Sequence, residues 1–173
     1  MEVLEVIRRR RSVRGLAPAD IPRPHLETIV DAGRLAPTGK NAQPWEFIVV
    51  TRPETIAKLA QVQALLGQAS AIVAIVVDEH ASPFWLEDAS AAAENMLLAM
   101  EALGYGSRWI EGTLLPKEAW AKEVLGVPAG KRLIILLPVG AGVYPEEPKP
   151  KRSLAEVLYW ERFGNRTWES GSR

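Results

Sequence analysis

Ala36-Pro37-Thr38-Gly39-Lys40-Asn41-Ala42-Gln43-Pro44-Trp45-Glu46-Phe47 is the stretch from which the organisation of the chain can be read. From Ala36 to Pro44 its prolines, glycine, threonine and asparagine interrupt regular structure, so the segment is a loop. From Trp45 to Thr51 the period changes: Trp45, Phe47 and Val49 alternate against the rest, as in a strand with one face buried. Just before the loop, Leu26, Ile29, Val30 and Gly33 share one face of a helix, and Pro18, Pro22 and Pro24 break the chain ahead of it. A helix, an irregular turn and a strand therefore follow one another.

Working outward, Thr51-Arg52-Pro53-Glu54 has the form of a capping box with proline in the first turn, predicting a helix to about Leu66. Ser70 to Val77 reads as a buried strand. The longest helix is predicted from about Pro83 to Leu103, with Leu86, Ala89, Ala93, Met96, Leu97 and Met100 at helical spacing and Gly104 ending it. Tyr105 to Ile110 reads as a third strand, Pro116 to Leu125 as a helix closed by Gly126, and Arg132 to Val139 as a fourth strand. Lys149-Pro150-Lys151-Arg152 is a basic, proline-broken connection. Ser153-Leu154-Ala155-Glu156 is a second capping box, opening a helix toward Tyr159 or Trp160. At the other end Val3, Val6 and Ile7 lie on one face of a short helix, closed by Arg8 to Arg11, where cations suit the helix dipole. Strands interleaved with helices, without repeat or linker, predict one layered domain over residues 1–173.

Composition removes whole classes of function. The chain has 173 residues and no cysteine, which excludes disulfides, thiolate metal sites, iron–sulfur clusters and cysteine nucleophiles. Lysine plus arginine balances aspartate plus glutamate, 21 against 21, so a net-basic nucleic-acid binder is disfavoured. The apolar runs Ala71 to Val77 and Leu133 to Val139 are too short to cross a bilayer. The opening Met1 to Arg14 has its charges after its apolar residues, the reverse of a signal peptide, so a cytoplasmic protein is expected. His25 and His80 lack a second ligand at metal spacing, and no metal is expected. Gly33 to Asn41 is spaced wrongly for a phosphate-binding P-loop, and Gly140-Ala141-Gly142 lacks the third glycine of a dinucleotide fold.

What remains is rich in arginine. In extended geometry Arg10, Ser12 and Arg14 point to one side, and guanidinium groups flanking a hydroxyl suit a phosphate monoester. The alternative at this point is a solvated run of charge.

Taken together, these stretches resemble the nitroreductase family over essentially the whole chain. Arg10-Arg11-Ser12-Val13-Arg14 is similar to its opening signature, and Ala36 to Phe47 to its most recognisable stretch, with threonine for serine at position 38. Asp88 and Glu94-Asn95-Met96-Leu97-Leu98-Ala99 resemble the long central helix, followed by Leu103 to Ser107. Trp109-Ile110-Glu111-Gly112 is similar to the flavin-facing turn, and Lys149-Pro150-Lys151-Arg152-Ser153-Leu154-Ala155-Glu156-Val157 to the basic tail.

The resemblance implies an α+β fold: a mostly antiparallel sheet of four to five strands flanked by helices, in an intertwined homodimer. Residues 153–173 would form an arm packing on the partner, consistent with Tyr159, Trp160, Phe163 and Trp168. It implies FMN as cofactor and NAD(P)H as electron donor, with a small electron-poor acceptor such as a nitroarene or quinone. Arg10, Arg11 and Ser12 would hold the FMN phosphate and ribityl chain, and Arg14 would sit by the flavin N1/O2 edge. Pro37, Thr38, Gly39 and Asn41 would come from the other subunit to line the flavin. Ile110, Glu111 and Gly112 would cover one flavin face, with a backbone N–H near N5. Lys149 and Lys151 would reach the phosphate again. Gln63 and Gln68 are the candidates for the N3/O4 edge. Glu111 is the candidate acid, although the family uses that turn through its backbone. A dehalogenating or flavin-fragmenting enzyme, or a flavin-binding module without turnover, carries the same signature. The chain is short for the family and has no room for the excursion that covers the site in larger members.

Overall fold

In the computed structural model, which describes residues 2–144, 147 and 149–168, the strands are β1 (Gly15–Ala17), β2 (Trp45–Val50), β3 (Ala71–Val77), β4 (Gly106–Ser107) and β5 (Arg132–Val143). The helices are α1 (Val3–Arg9), α2 (Arg23–Arg34), α3 (Pro53–Leu59), α4 (Trp85–Ala102), α5 (Glu118–Leu125) and α6 (Leu154–Val157). The five strands form one sheet in the order β1-β5-β3-β2, with β4 also on β5, and each of these pairings is antiparallel. An antiparallel sheet flanked by helices is the expected α+β class.

Both faces of the sheet are covered, which explains why β3, Ala-Ile-Val-Ala-Ile-Val-Val, is buried at every position. Val73, Ile75 and Val77 face one core with Leu26 and Ile29 of α2 and Ala89, Ala93, Met96 and Met100 of α4. Ile72, Ala74 and Val76 face a second core with Ile56 and Leu59 of α3, Leu65, Leu66, Leu114 and Ala121 of α5. Opposite Ile75 and Val76 the register of β5 slips. There Ile134 and Ile135 both join the first core, while Leu133 and Leu136 join the second. A bulge that adds one residue to a strand produces this break in alternation.

Several elements differ from their sequence signals. Thr51 does not cap α3; Arg52 holds that position without a side-chain bond, so the box at Thr51–Glu54 does not form. The helix expected to reach Leu66 stops at Leu59, and a 3₁₀ segment over Ala64–Gln68 follows. The third strand shrinks from Tyr105–Ile110 to Gly106–Ser107, with Ile110 making one separate bridge to Leu136. Hydrophobic content suggested a strand there, but pairing with β5 lasts only two residues. β1 carries no alternation long enough to announce itself; its strand character comes from pairing with Ala141–Val143. β5 extends to Val143, four residues beyond its apolar run, because β1 and β4 supply partners there. α6 closes at Val157, short of Tyr159. The Ser153–Glu156 capping box does form, with the Glu156 carboxylate accepting from the Ser153 N–H and hydroxyl at 2.8 Å each. Val49 and Leu86, expected inward, are exposed, and of Val3, Val6 and Ile7 only Val6 is buried within the chain. Among the described residues no helix is long and apolar enough to cross a membrane. The end of the expected arm, residues 169–173, lies outside the described residues.

Candidate functional site

The fold brings the two basic segments together. After α1 the backbone turns extended at Arg10, and the chain is pinned to the sheet: Val13 N–H donates to the Ser107 carbonyl at 3.1 Å and Arg14 N–H to the Val143 carbonyl at 2.8 Å. Val13 is buried at 1% exposure, so its neighbours Ser12 and Arg14 are forced outward on alternate positions. Ser12 also bridges Ser107 of β4 in parallel. Lys149 and Lys151, which follow β5 in sequence, lie beside this segment.

The result is a cleft of about 510 Å³ lined by Arg8, Arg10, Arg11, Ser12, Arg14, Arg108, Lys149 and Lys151, with Ile7 and Val13. Arg10, Arg11, Ser12, Arg14, Lys149 and Lys151, singled out in sequence, share it. Arg8 and Arg108 were not singled out. Arg8 looked like part of the helix-ending run, and Arg108 enters only because Ser107 pairs with Ser12, a long-range contact with no local signal.

Two of the cleft's cations, Arg10 and Arg11, have partners of their own. Arg10 pairs with Glu94 of α4 at 3.3 Å. The Arg11 guanidinium lies over the Tyr144 ring, 5.2 Å from its centroid, a cation–π contact. Burial, aided by the Glu101 carboxylate, raises the Tyr144 hydroxyl above its ordinary value against the charges of Arg11 and Arg9, keeping the ring a neutral phenol. Arg9 in turn meets the buried Glu101 at 3.4 Å. The floor depends on one close approach: a Cβ on Gly106 would sit 2.7 Å from Val13 Cγ1 and 2.9 Å from Gly142 N, so only glycine lets β4 lie this near β5. Beside Ser12, the Ser107 hydroxyl oxygen is buried without a hydrogen-bond partner among the described residues.

The other candidates lie apart. Pro37, Thr38, Gly39 and Asn41 do not line this cleft of their own chain. Their loop contains a short 3₁₀ turn over Gly39–Asn41 with Lys40, Asn41 and Gln43 at φ 55, 58 and 49. Ile110 is buried at 2% and bridges Leu136, whereas Gly112 is exposed. The Glu111 carboxylate accepts from Trp109 Nε1 at 3.0 Å, and its backbone N–H has no partner among the described residues. Gln68 is engaged structurally, its Oε1 accepting from Leu16 N–H at 3.0 Å. Gln63 Oε1 is buried and unpartnered among the described residues. These residues contain no acidic, histidine or cysteine cluster able to hold a metal ion.

A donor set of guanidinium, ammonium and hydroxyl groups without a general base fits an anionic ligand better than hydrolytic machinery. Comparison with known proteins agrees. The model of the "Nitroreductase family" matches residues 7–81 and 62–141. A relative from Archaeoglobus fulgidus, named "Putative NADH dehydrogenase/NAD(P)H nitroreductase", is 36% identical over 177 residues, covering 96% of this chain and 99% of the relative. An FMN-dependent nitroreductase from Clostridium difficile superimposes with TM-score 0.79 at 27% identity, covering 92% of this chain and 99% of the other. An NADPH:FMN oxidoreductase from Vibrio harveyi, solved in complex with NAD+, superimposes with TM-score 0.80 at 25% identity, covering 94% and 78%. With a matching fold, a matching family model and a relative alike over nearly its full length, the chain belongs to the nitroreductase family.

Proposed function

We propose that the protein is an FMN-dependent oxidoreductase that takes electrons from NAD(P)H and passes them to an electron-poor small molecule such as a nitroarene or quinone. The observation that carries this reading is the convergence of Arg10, Arg11, Ser12 and Arg14 with Lys149 and Lys151 in one cleft. The residues present fit the group. An FMN phosphate carries about two negative charges, which these cations can neutralise, and Ser12 adds a hydroxyl. The unsatisfied Ser107 hydroxyl offers one more donor beside it.

When bound, FMN supplies the hydride chemistry, and the protein's task is to bind, orient and tune. Arg10, Arg11, Lys149 and Lys151 anchor the phosphate end. Arg14, assigned to the pyrimidine edge of the ring, places a cation where negative charge develops on reduction. The Glu111 side chain is occupied by Trp109, which leaves its backbone N–H as the donor toward the ring. Donor and acceptor then use the same face in turn, which makes the kinetics ping-pong.

The working unit in this proposal is a homodimer. Val3, Leu4 and Ile7 of α1, Leu35, and Leu154, Val157, Phe163 and Trp168 of the C-terminal segment are all exposed in the single chain, an apolar surface suited to a large interface. The Pro37–Asn41 loop, outside the cleft of its own chain, would line that of the partner.

The test is the absorbance spectrum of the purified protein with FMN, before and after NADH or NADPH, joined to light scattering. The expected protein is yellow, dimeric and bleached by a reduced nicotinamide. A protein that takes up no added FMN overturns the proposal, and a monomer that retains FMN overturns the shared site.

A further inference from the structure

The loop from Thr38 to Gln43 adopts a backbone that its residues do not favour. Lys40, Asn41 and Gln43 all have positive φ, at 55, 58 and 49, in the left-handed region that L side chains crowd; only asparagine visits it readily. Such conformations persist where the surroundings over-determine them. Most of the loop's own hydrogen bonds are internal: Asn41 N–H to the Thr38 carbonyl at 3.0 Å, Ala42 N–H to the Gly39 carbonyl at 3.1 Å, and Gln43 N–H to Thr38 Oγ1 at 3.2 Å. Among the described residues one bond ties this loop to another element. Gly39 N–H donates to Oδ1 of Asp88, in the first turn of α4, at 2.8 Å.

Phe84, one helical turn before Asp88, touches the same residue. A Cβ on Gly39 would lie 3.2 Å from Phe84 Cγ and closer still to Cδ2, so the ring sits where a side chain would be. The φ of Gly39 is not in the left-handed region, so the requirement for glycine comes from the ring and not from the backbone. Asp88 is also too deeply set for an ordinary helix-start acid. An exposed aspartate would suit the dipole equally well, yet Asp88 is 4% exposed with Oδ2 unpartnered among the described residues. Burying a half-satisfied carboxylate opposes folding, and the return is a charged acceptor aimed at one backbone N–H.

We propose that Asp88 is a positioning residue for the cofactor site, and that with Phe84 it clamps Gly39 so that the Pro37–Asn41 loop meets the ring system of the flavin. This inference rests on the flavin reading above and adds to it the device that sets the loop's register. The clamp acts on the ring side of the ligand, whereas Arg10 acts on the phosphate side. The two are therefore separable by comparing FMN with riboflavin, which has the same ring and no phosphate.

The experiment titrates both ligands by flavin fluorescence against wild type, Asp88→Ala, Asp88→Asn and Arg10→Ala, with the thermal midpoint of each apoprotein. Asp88→Ala is expected to weaken both ligands alike by about tenfold to a hundredfold, the range for one charged hydrogen bond, and to change the visible circular dichroism of bound FMN. Asp88→Asn keeps an acceptor for Gly39 N–H and is expected to restore both. Arg10→Ala should weaken FMN far more than riboflavin, which lacks the phosphate. If Asp88→Ala does not fold, Gly39→Ala decides: it should weaken both ligands by displacing the ring, and Gly39→Ala with Phe84→Ala should recover them. Unchanged affinity and dichroism in Asp88→Ala, or a loss confined to FMN, overturns the clamp while leaving the flavin reading intact. Wild type that binds neither ligand overturns the flavin reading itself.

Discussion

The Arg10–Arg14 segment and the Thr38–Gln43 loop are both short and rich in polar groups, yet they are held in opposite ways. The first is extended and takes its register from the sheet, through backbone bonds from Val13 and Arg14 and the buried Val13 side chain. The second is coiled back on itself with three positive φ angles, and takes its register from a carboxylate in α4 and the Phe84 ring just before it. A segment registered by a sheet can change its outward side chains without losing its place. A loop registered by single side chains cannot. Charge is therefore carried by the first region and shape by the second.

The largest effect is expected where the sheet itself holds the first region. Gly106→Ala drives a methyl into the Gly142 backbone and the Val13 side chain, so β4 must separate from β5. A loss of about 3 kcal/mol in chemical denaturation is expected, within the range for overpacking, together with loss of FMN binding. If Gly106→Ala is as stable as wild type, the sheet does not register the cleft, and the contrast between the two regions fails.

Arg10→Ala removes charge without touching that register. FMN binding should weaken by about 1.5–3 kcal/mol, as for a charged hydrogen bond, and more salt should weaken wild-type binding in the same direction. Its pair with Glu94 is partly exposed, so apoprotein stability should change by less than about 1 kcal/mol. A stability loss larger than the binding loss would make Arg10 a structural residue.

The far end of β5 provides a control. Arg132 forks onto Glu118 of α5 at 2.9–3.1 Å and meets Glu79 at 3.1 Å, and Leu133 N–H also donates to Glu118 at 3.0 Å. Burial pushes the Glu118 carboxyl upward, but the Arg132 and Leu133 hydrogen bonds and the charges of Arg132 and Lys122 outweigh it, leaving it below its ordinary value of 4.5. A carboxylate depressed on folding contributes stability above its unfolded value and loses it as pH falls through the folded one. Glu118→Gln should therefore cost about 1–2 kcal/mol at neutral pH, with the gap to wild type closing once pH falls below 4.5. Urea denaturation at neutral and acid pH measures both. FMN affinity at neutral pH should not move, and if it does, the cleft is registered from further away than β4 and β1.

The smallest effect is expected at Glu94. Glu94→Gln removes the anion competing for Arg10 and should tighten FMN by up to about 1 kcal/mol, read by the same fluorescence titration. Weaker binding would mean that Glu94 orients Arg10 instead of competing for it.

How much was legible follows from the same physical distinction. β3 and the apolar run of β5 could be read locally, because a strand covered on both faces must be apolar along its length. The buried face of α4 was legible because Ala89, Ala93, Met96, Leu97 and Met100 repeat at the helical period. Arg10, Ser12 and Arg14 could be read as neighbours on one side because alternation in an extended chain puts them there, and they line one cleft. The order of motifs also carried the family. Tertiary structure alone decided that β1 is a strand at all, that the helix after Thr51 stops at Leu59, and that Tyr105 to Ile110 is mostly not a strand. Those outcomes depend on which backbone groups distant segments offer as partners, and no local pattern encodes that. The same holds for Arg108 in the cleft and Asp88 under the loop. Each owes its place to a contact across the fold, Arg108 through the Ser12–Ser107 bridge and Asp88 through the Gly39 N–H, while residue type and neighbours in sequence describe an ordinary surface arginine and an ordinary acid at a helix start.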